Sequence, residues 1–218
     1  MKRDVPTLAT ERAFWNAGFS WVAGVDEVGR GALAGPLVAA AVILPPGNGV
    51  ACRRLQASLA GVRDSKLLLP ARRRDLMTPI RAIAAAVAIG IVEANELDEI
   101  GVVAANRLAM ERAVAGLSIP PEILLLDACV VDLGMPQVGL IDGDARCLTI
   151  AAASIVAKVT RDHMMIEADG ADPRYQFSRH KGYASLAHRQ ALARSGPGPL
   201  HRRSFAPVRH MLAEPVGD

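Results

Sequence analysis

The residues of this 218-residue chain best suited to chemistry are four carboxylates, Asp26, Glu27, Asp127 and Asp144. Asp26 and Glu27 end an apolar run, where a charge is costly unless it is paired or bound to a metal. Asp127 closes Leu124-Leu-Leu126 in the same way, and Asp144 follows Ile141-Asp-Gly just before a run of small residues. Ligands in open α/β sheets gather at the carboxyl ends of strands. Several carboxylates brought there repel one another, and a hard divalent cation that prefers oxygen relieves the repulsion. The chemistry implied is that of Mg2+ or Mn2+, and no Cys/His spacing suited to structural zinc is present. Taken singly, each acid is more often a turn carboxylate that holds no metal.

A regular strand sets one constraint on this site. Adjacent residues point to opposite faces, so Asp26 and Glu27 reach one ion only if the strand ends or bulges there. The expectation is a distortion beginning at Glu27, which the following glycines permit. A strand that runs straight through Glu27 would count against its assignment.

The elements that must position these acids read as an α/β sheet covered by helices. Residues 21–26, 37–44 and 85–93 are expected strands, the second apolar throughout and so buried on both faces. Residues 45–49 form a loop. Pro70 opens a basic helix through Arg72, Arg73 and Arg74 that Thr78-Pro79 kinks or ends. A helix over 102–117 carries the stripe Val103, Leu108, Met110, Val114 and Leu117. Residues 122–127 and 137–141 are short strands. Thr149 is the expected N-cap of a helix over 150–167, and a further helix follows the turn-like 169–173 at 185–194. Gly29-Arg-Gly-Ala-Leu-Ala-Gly35 follows a strand but leads into Pro36 and a second strand. A dinucleotide-binding loop needs a helix there, so that reading fails.

Composition fits one soluble domain with at most a small appendage: 51% hydrophobic and 22% charged residues, with no apolar run near the ~20 residues that span a bilayer. No secretory signal is visible after Met1. Cys52, Cys129 and Cys147 are too few and scattered for a disulfide framework, which fits a reducing cytoplasm. The net charge of +3 is unevenly placed. Residues 171–218 hold eight Lys or Arg against Asp172, Glu214 and Asp218, hence +5, and the first 170 residues carry −2. A basic end beside an acidic body suits a polyanion bound next to a carboxylate site, although a solvated basic tail reads the same way.

Five motifs in order then carry a resemblance. They are Gly24-Val-Asp-Glu-Val-Gly-Arg-Gly31, Asp64-Ser-Lys66, Ala151-Ala-Ala-Ser-Ile-Val-Ala-Lys158 with Arg161-Asp162, His180-Lys-Gly-Tyr183 and His201-Arg-Arg-Ser-Phe205. Together they resemble the motif set of ribonuclease HII over nearly the whole chain. The resemblance implies a ribonuclease H-like mixed five-stranded sheet flanked by helices, with a catalytic core over 1–170 and a small basic helical extension over 171–218. It implies an endonuclease that hydrolyses the phosphodiester 5′ to ribonucleotides, in RNA–DNA hybrids and at single ribonucleotides in duplex DNA. Two Mg2+ or Mn2+ ions would act, and the ends would be 3′-hydroxyl and 5′-phosphate. Asp26, Glu27, Asp127 and Asp144 would be the metal-binding catalytic acids, with Asp26 and Asp127 shared between the ions. Gly29, Arg30 and Gly31 would read the 2′-hydroxyl by close backbone approach. Tyr183 would pack on the sugar beside the ribonucleotide, and Lys66 and Lys181 would meet phosphates. A monomer with nucleic acid as its partner is expected.

Three positions depart from the family pattern. Leu67 replaces a second lysine, Ala128-Cys129 follows Asp127 in place of glycine, and Asp142 adds a charge that either competes for metal or points to solvent. The helix rich in Ala151, Ala152, Ala153, Ser154 and Ala157 would pack close to the strand bearing Asp26. His163, His180, His188, His201 and His210 are expected at the surface or on phosphates. A ribonuclease H confined to longer hybrids and a non-catalytic nucleic-acid binder are the rival readings.

Overall fold

The run at 37–43 becomes the strand around which the protein is built: every residue of β2 (Leu37–Ile43) is buried. The computed structural model describes residues 5–127 and 134–213. On either side of β2 lie β1 (Val22–Val28) and β3 (Ala86–Val92), and beyond β1 lie β4 (Ile123–Asp127) and β5 (Gln137–Leu140). The order is β3-β2-β1-β4-β5. The first three strands are antiparallel, while β4 runs parallel to β1 and β5 parallel to β4. This is the expected mixed five-stranded sheet. Its helices are α1 (Ala9–Asn16), α2 (Gly49–Ser58), α3 (Pro70–Ile83), α4 (Ala94–Ala115), α5 (Gly143–Arg146), α6 (Leu148–Ala171), α7 (Phe177–His180), α8 (Leu186–Ser195) and α9 (Ala206–Ala213).

Each face of the sheet takes a long helix. Ala23, Val25, Ala39, Ala41, Leu124 and Leu126 pack with α4, and Ala40 and Val42 pack with α3 and α6. The small residues in mid-strand bring the helices in close. A Cβ at Gly24 would lie 2.4 Å from the carbonyl carbon of Thr149 in α6. One at Gly90 would lie 1.9 Å from the carbonyl oxygen of Ala109 in α4.

Such close contact explains where the helices differ from expectation. The buried face of α4 is Ala105, Asn106, Ala109, Met110 and Ala113, while Val103 is 72% exposed. Of the expected stripe, Met110 and Leu117 are buried and Leu108 and Val114 pack partly against the sheet. Backbone approach at Gly90 adds the small side chains to that face. The helix also begins eight residues before 102, across a break at Gly101 with φ 81°. Pro79 neither ends nor bounds α3, which runs on to Ile83. An interior proline costs about 3 kcal/mol. Burial of Leu76 and Ile80 beside it offsets that at roughly 1.5–3 kcal/mol each. The helix α2 follows the 45–48 loop without an apolar stripe to announce it, with only Cys52 buried. The turn expected at 169–173 starts later, since α6 continues to Ala171 and a 3-10 turn covers Pro173–Tyr175.

Thr149 is not the N-cap of α6. The helix starts at Leu148 after Cys147, and the cap comes from another element. Glu11 of α1 is fully buried, and its Oε1 accepts hydrogen bonds from the Thr149 N–H (2.8 Å), the Thr149 hydroxyl (2.6 Å) and the Cys147 thiol (3.2 Å). A carboxylate at a helix N-terminus satisfies orphan donors and faces the positive end of the dipole. Glu11→Ala is therefore expected to cost about 2–3 kcal/mol, with Glu11→Gln costing less. Urea unfolding reads this as a lower midpoint at unchanged slope; an unmoved midpoint would show that the cap contributes nothing.

Candidate active site

The acids meet where two parallel strands end side by side. The β1–β4 ladder stops at Val25–Leu126, so Asp26 and Asp127 are the first residues beyond it on each strand. Both project on the α6 side of the sheet, in step with Gly24 and Leu125. The Asp26 side chain is hydrogen-bonded to Ser154 of α6, and its Oδ1 accepts from the Glu27 N–H at 2.8 Å. The Ser154 and Ser65 hydroxyls are hydrogen-bonded to each other at 2.9 Å. The small-residue helix thus packs close to the Asp26 strand, as expected. Asp127 Oδ1 accepts from the Gly143 N–H at 2.7 Å, which places α5 and its Asp144 beside it.

The distortion expected at Glu27 does not occur. Pairing with β2 continues in register through Glu27–Ala39 and Val28–Val38, and the chain turns only at Gly29, φ 93°. Glu27 therefore leaves the strand on the opposite face from Asp26, which is the outcome that counts against it. What brings its carboxylate near the others is the missing neighbour: past Val25 no residue of β4 pairs with β1, so that edge is open. Glu27 is within electrostatic reach of both Asp127 and Lys66 and lines the same cleft as Asp26.

Burial and mutual repulsion dominate the electrostatics. Asp26 lies well above the usual carboxylate range through burial, then through Glu27 and Asp127. Burial also raises Glu27, against the pull of Arg30. Asp144 is pushed up to about 6 by burial, Asp127 and Asp64. Lys66, although partly desolvated, is held above its ordinary range by Asp144, Asp26, Asp64 and Asp127, and its Nζ lies 3.9 Å from Asp144. Asp142 is exposed at φ 52°, whereas Asp144 is buried. No three His, Cys, Asp or Glu side chains among the described residues close around one point. The donor set still fits a hard divalent cation. It offers oxygen alone, and three of its acids are destabilised as anions by burial and by their acidic neighbours, a condition that a cation relieves.

Of the residues expected to meet the substrate, Lys66 and Tyr183 lie on the wall of this site. Asp26, Glu27, Lys66, Lys158 and Tyr183 line one cleft of about 410 Å3. A Cβ at Gly29 would strike the Arg161 guanidinium at 2.2 Å, so glycine is required there. Gly31 has no such internal reason: its φ is ordinary and the space beside it is open. Arg30 and Gly31 are exposed. Lys181 lies elsewhere. Its Nζ donates to the Ser178 carbonyl of its own helix, and it lines a neighbouring groove with Arg73 and Asp162.

Two buried arginines hold this wall, and their quoted motifs alone gave no sign of it. Arg161 donates to the carbonyls of Pro36 (2.8 Å), Lys181 (2.9 Å) and Ala34 (3.0 Å). Arg202 donates to Gly35 at 3.0 and 2.9 Å and to the Arg30 carbonyl at 3.2 Å. Main-chain bonds from Leu33 to Gly182 and from Gly35 to Leu200 complete the lock between the glycine loop and the basic end. The α6 helix itself runs across position 170.

The histidines correct the surface reading. His188 and His201 are buried, with Nε2 atoms 3.0 Å apart, whereas His163 remains exposed beside Glu167. Burial and His188 hold His201 down at about 4, and burial lowers His188. Above the ordinary value of 6.5 the ring is neutral in both folded and unfolded chains. Between 6.5 and about 4 only the unfolded chain takes the proton, so stability falls with pH. His201→Gln removes this dependence and leaves the acids in place. The stability of wild type relative to that variant is expected to drop by about 3 kcal/mol between pH 7 and pH 4. Parallel urea titrations test it, and a constant difference would refute it.

Ala128 and Cys129 lie outside the described residues. Among the described residues no helix is long and apolar enough to cross a membrane.

Comparison with known proteins agrees with this geometry. The family model described as Ribonuclease HII matches residues 23–208. Ribonuclease HII of Geobacillus kaustophilus is 52% identical over 93% of this chain and 74% of its own. That of Dehalococcoides mccartyi is 44% identical over 95% and 96%. Among solved structures, ribonuclease H2 from Pyrococcus horikoshii OT3 superposes with a TM-score of 0.71 at 26% identity, covering 88% of this chain and 96% of that one. Bst-RNase HIII in complex with Mn2+ shares the fold at TM-score 0.68 and 21% identity, covering 90% and 70%. With its acids gathered where β1 and β4 end side by side and the family model matching residues 23–208, the chain belongs to the ribonuclease HII family and is an endoribonuclease of the ribonuclease H class.

Proposed function

We propose that the chain hydrolyses the phosphodiester on the 5′ side of a ribonucleotide, both in RNA–DNA hybrids and at single ribonucleotides within duplex DNA. The observation that carries this is the shared cleft: Asp26 and Glu27 lie in the same recess as Tyr183, beside the loop of Gly29, Arg30 and Gly31. Asp26, Asp127 and Asp144, joined by Glu27 around the open strand edge, would hold two Mg2+ or Mn2+ ions; Mn2+ is the ion in the Bst-RNase HIII complex. When bound, such ions supply Lewis-acid activation of water and stabilise charge on the leaving 3′-oxygen. Water attacks phosphorus, the bond to the 3′-oxygen breaks, and 3′-hydroxyl and 5′-phosphate ends result.

The chain's own residues divide the remaining work. Gly31 leaves room for a ribose to approach the backbone, and the fixed Arg30 carbonyl lies beside it. The half-buried Tyr183 ring, flanked by Lys158 at 5.5 Å and Arg161 at 5.3 Å, offers a flat surface for the adjoining sugar. Lys66, largely exposed beyond Asp144, is placed for a phosphate, as Lys181 would be further along the duplex. Phosphate contacts of this kind give salt-dependent affinity, and the 2′-hydroxyl gives selectivity.

The test is incision of a duplex DNA bearing one ribonucleotide, in Mg2+ or Mn2+, beside a continuous RNA–DNA hybrid. Cleavage of both with 3′-hydroxyl ends is expected. Failure with either ion refutes the proposal, and cleavage of the hybrid alone removes the single-ribonucleotide reading.

A further inference from the structure

Three histidines of the basic end cluster behind Tyr183, His188 hydrogen-bonded to His201 and stacked on His180. The rings of His180 and His188 stack at 4.4 Å with a 13° interplanar angle, and His188 meets His201 at 3.0 Å. The partners of each nitrogen order the protons. The Gly198 N–H donates to His201 Nδ1 at 2.9 Å, so a neutral His201 carries its proton on Nε2. That proton is directed at His188 Nε2, which leaves His188 protonated on Nδ1. His188 Nδ1 lies 2.9 Å from the Tyr183 carbonyl. The chain of donors therefore runs one way, from Gly198 through both rings to the main chain of Tyr183.

That carbonyl also accepts from the Ser185 N–H at 2.7 Å, and the Tyr183 N–H donates to the His180 carbonyl at 3.0 Å. On the other side, Arg161 fixes the Lys181 carbonyl. Tyr183 is thus held from α6 on one side and from the histidines on the other, with its ring over the cleft. Buried polar chains of this kind fix one geometry when every member is satisfied. His180 fits the pattern too: its Nδ1 accepts from Gly182 and its Nε2 faces the Tyr175 carbonyl at 2.8 Å.

We propose that His188 is a positioning residue for Tyr183, and that its Nδ1 bond to the Tyr183 carbonyl sets how the enzyme discriminates a single ribonucleotide from a continuous hybrid. The inference rests on the role given to Tyr183 above. His188 touches neither the acids nor, on that reading, the substrate, so its effect passes through Tyr183.

Two substitutions of similar size separate the links. His188→Asn places an amide N–H near Nδ1 and keeps the bond to Tyr183 while losing His201. His188→Gln places its amide near Nε2 and keeps His201 while losing Tyr183. Single-turnover cleavage of a single-ribonucleotide duplex and of a continuous hybrid is measured for each, after thermal unfolding has shown that the variant is folded. The ratio of the two rates cancels any loss common to both substrates. The His188→Asn ratio is expected within about twofold of wild type, and the His188→Gln ratio to fall about tenfold against the single ribonucleotide, since small misplacements of a positioning group are costly. Should His188→Gln not fold, His188→Leu, which also removes the donor to the Tyr183 carbonyl, carries the same expected fall. Equal ratios in both variants, or an equal fall in both, overturn the proposal. Wild type that cleaves neither duplex overturns the reading of the site itself, which keeps the two failures apart.

Discussion

Asp26→Asn is expected to lower incision about a thousandfold while raising the stability of the metal-free protein. The two effects have one cause. Asp26 is 6% exposed and lies well above the usual carboxylate range because of burial, Glu27 and Asp127. At neutral pH its charge therefore opposes folding, and a folded-state pKa raised in this way means that stability is gained as pH falls toward it. Asparagine keeps the shape and an acceptor but removes the charge. The hydrogen bonds to Ser154 and the Glu27 N–H favour the anion but do not outweigh the burden, since the net shift is upward. Incision falls because metal-based charge stabilisation supplies several kcal/mol of the barrier reduction, at 1.36 kcal/mol per tenfold. The thermal midpoint of Asp26→Asn should exceed that of wild type without divalent ions. The gap should narrow or reverse when Mn2+ is added, because only wild type gains from the ion. A variant that cuts at the wild-type rate, or a gap that Mn2+ leaves unchanged, refutes the assignment.

The same residue shows what the sequence makes legible. An apolar run ending in an acid is a local pattern, so the end of β4 at Asp127 could be placed before any fold was known, whereas β1 runs two residues past Asp26. Tyr183 was legible through its motif, and the structure brings it to the acids' cleft, while the glycine loop follows directly on β1. What was not legible depends on contacts distant in sequence. Glu11 caps a helix that begins 137 positions later, so Thr149 alone looked like the cap. The position of Glu27 depends on where the neighbouring strand β4 stops pairing, which no inspection of residues 24–31 reveals. The histidines have no common spacing, and they meet because α8 and the segment at 198–202 fold back on each other. In α4 the apolar stripe held at Met110 and Leu117 and in part at Leu108 and Val114, and failed only at Val103. The alanines packed against Gly90 carry no apolar signal large enough to read. Periodicity reports which face is apolar, while close packing decides which face is buried.

Long-range contact of this kind is strongest at Arg161, whose replacement is expected to be the most destabilising in the chain. The side chain is fully buried, and burial lowers its pKa despite Tyr183 and Asp162 nearby. Its three nitrogens serve the carbonyls of Pro36, Lys181 and Ala34, which belong to the glycine loop and the Tyr183 loop. Arg161→Met fills part of the space but leaves three carbonyls without donors. At about 1–3 kcal/mol for each unsatisfied buried group, offset by the desolvation no longer required of the cation, the net cost is about 3–5 kcal/mol. Arg161→Lys keeps the charge but not the planar fork, and one ammonium cannot reach three carbonyls arranged around a guanidinium. It should therefore restore less than half of the lost stability. Incision should suffer beyond the loss of folded protein, because Gly29 packs on this guanidinium and the loop that follows it is the one proposed to read the ribose. Measured at a temperature where each variant is folded, the KM for a single-ribonucleotide duplex should rise at least tenfold in Arg161→Lys. A lysine variant with wild-type stability and KM would show that the fork does not hold the loop.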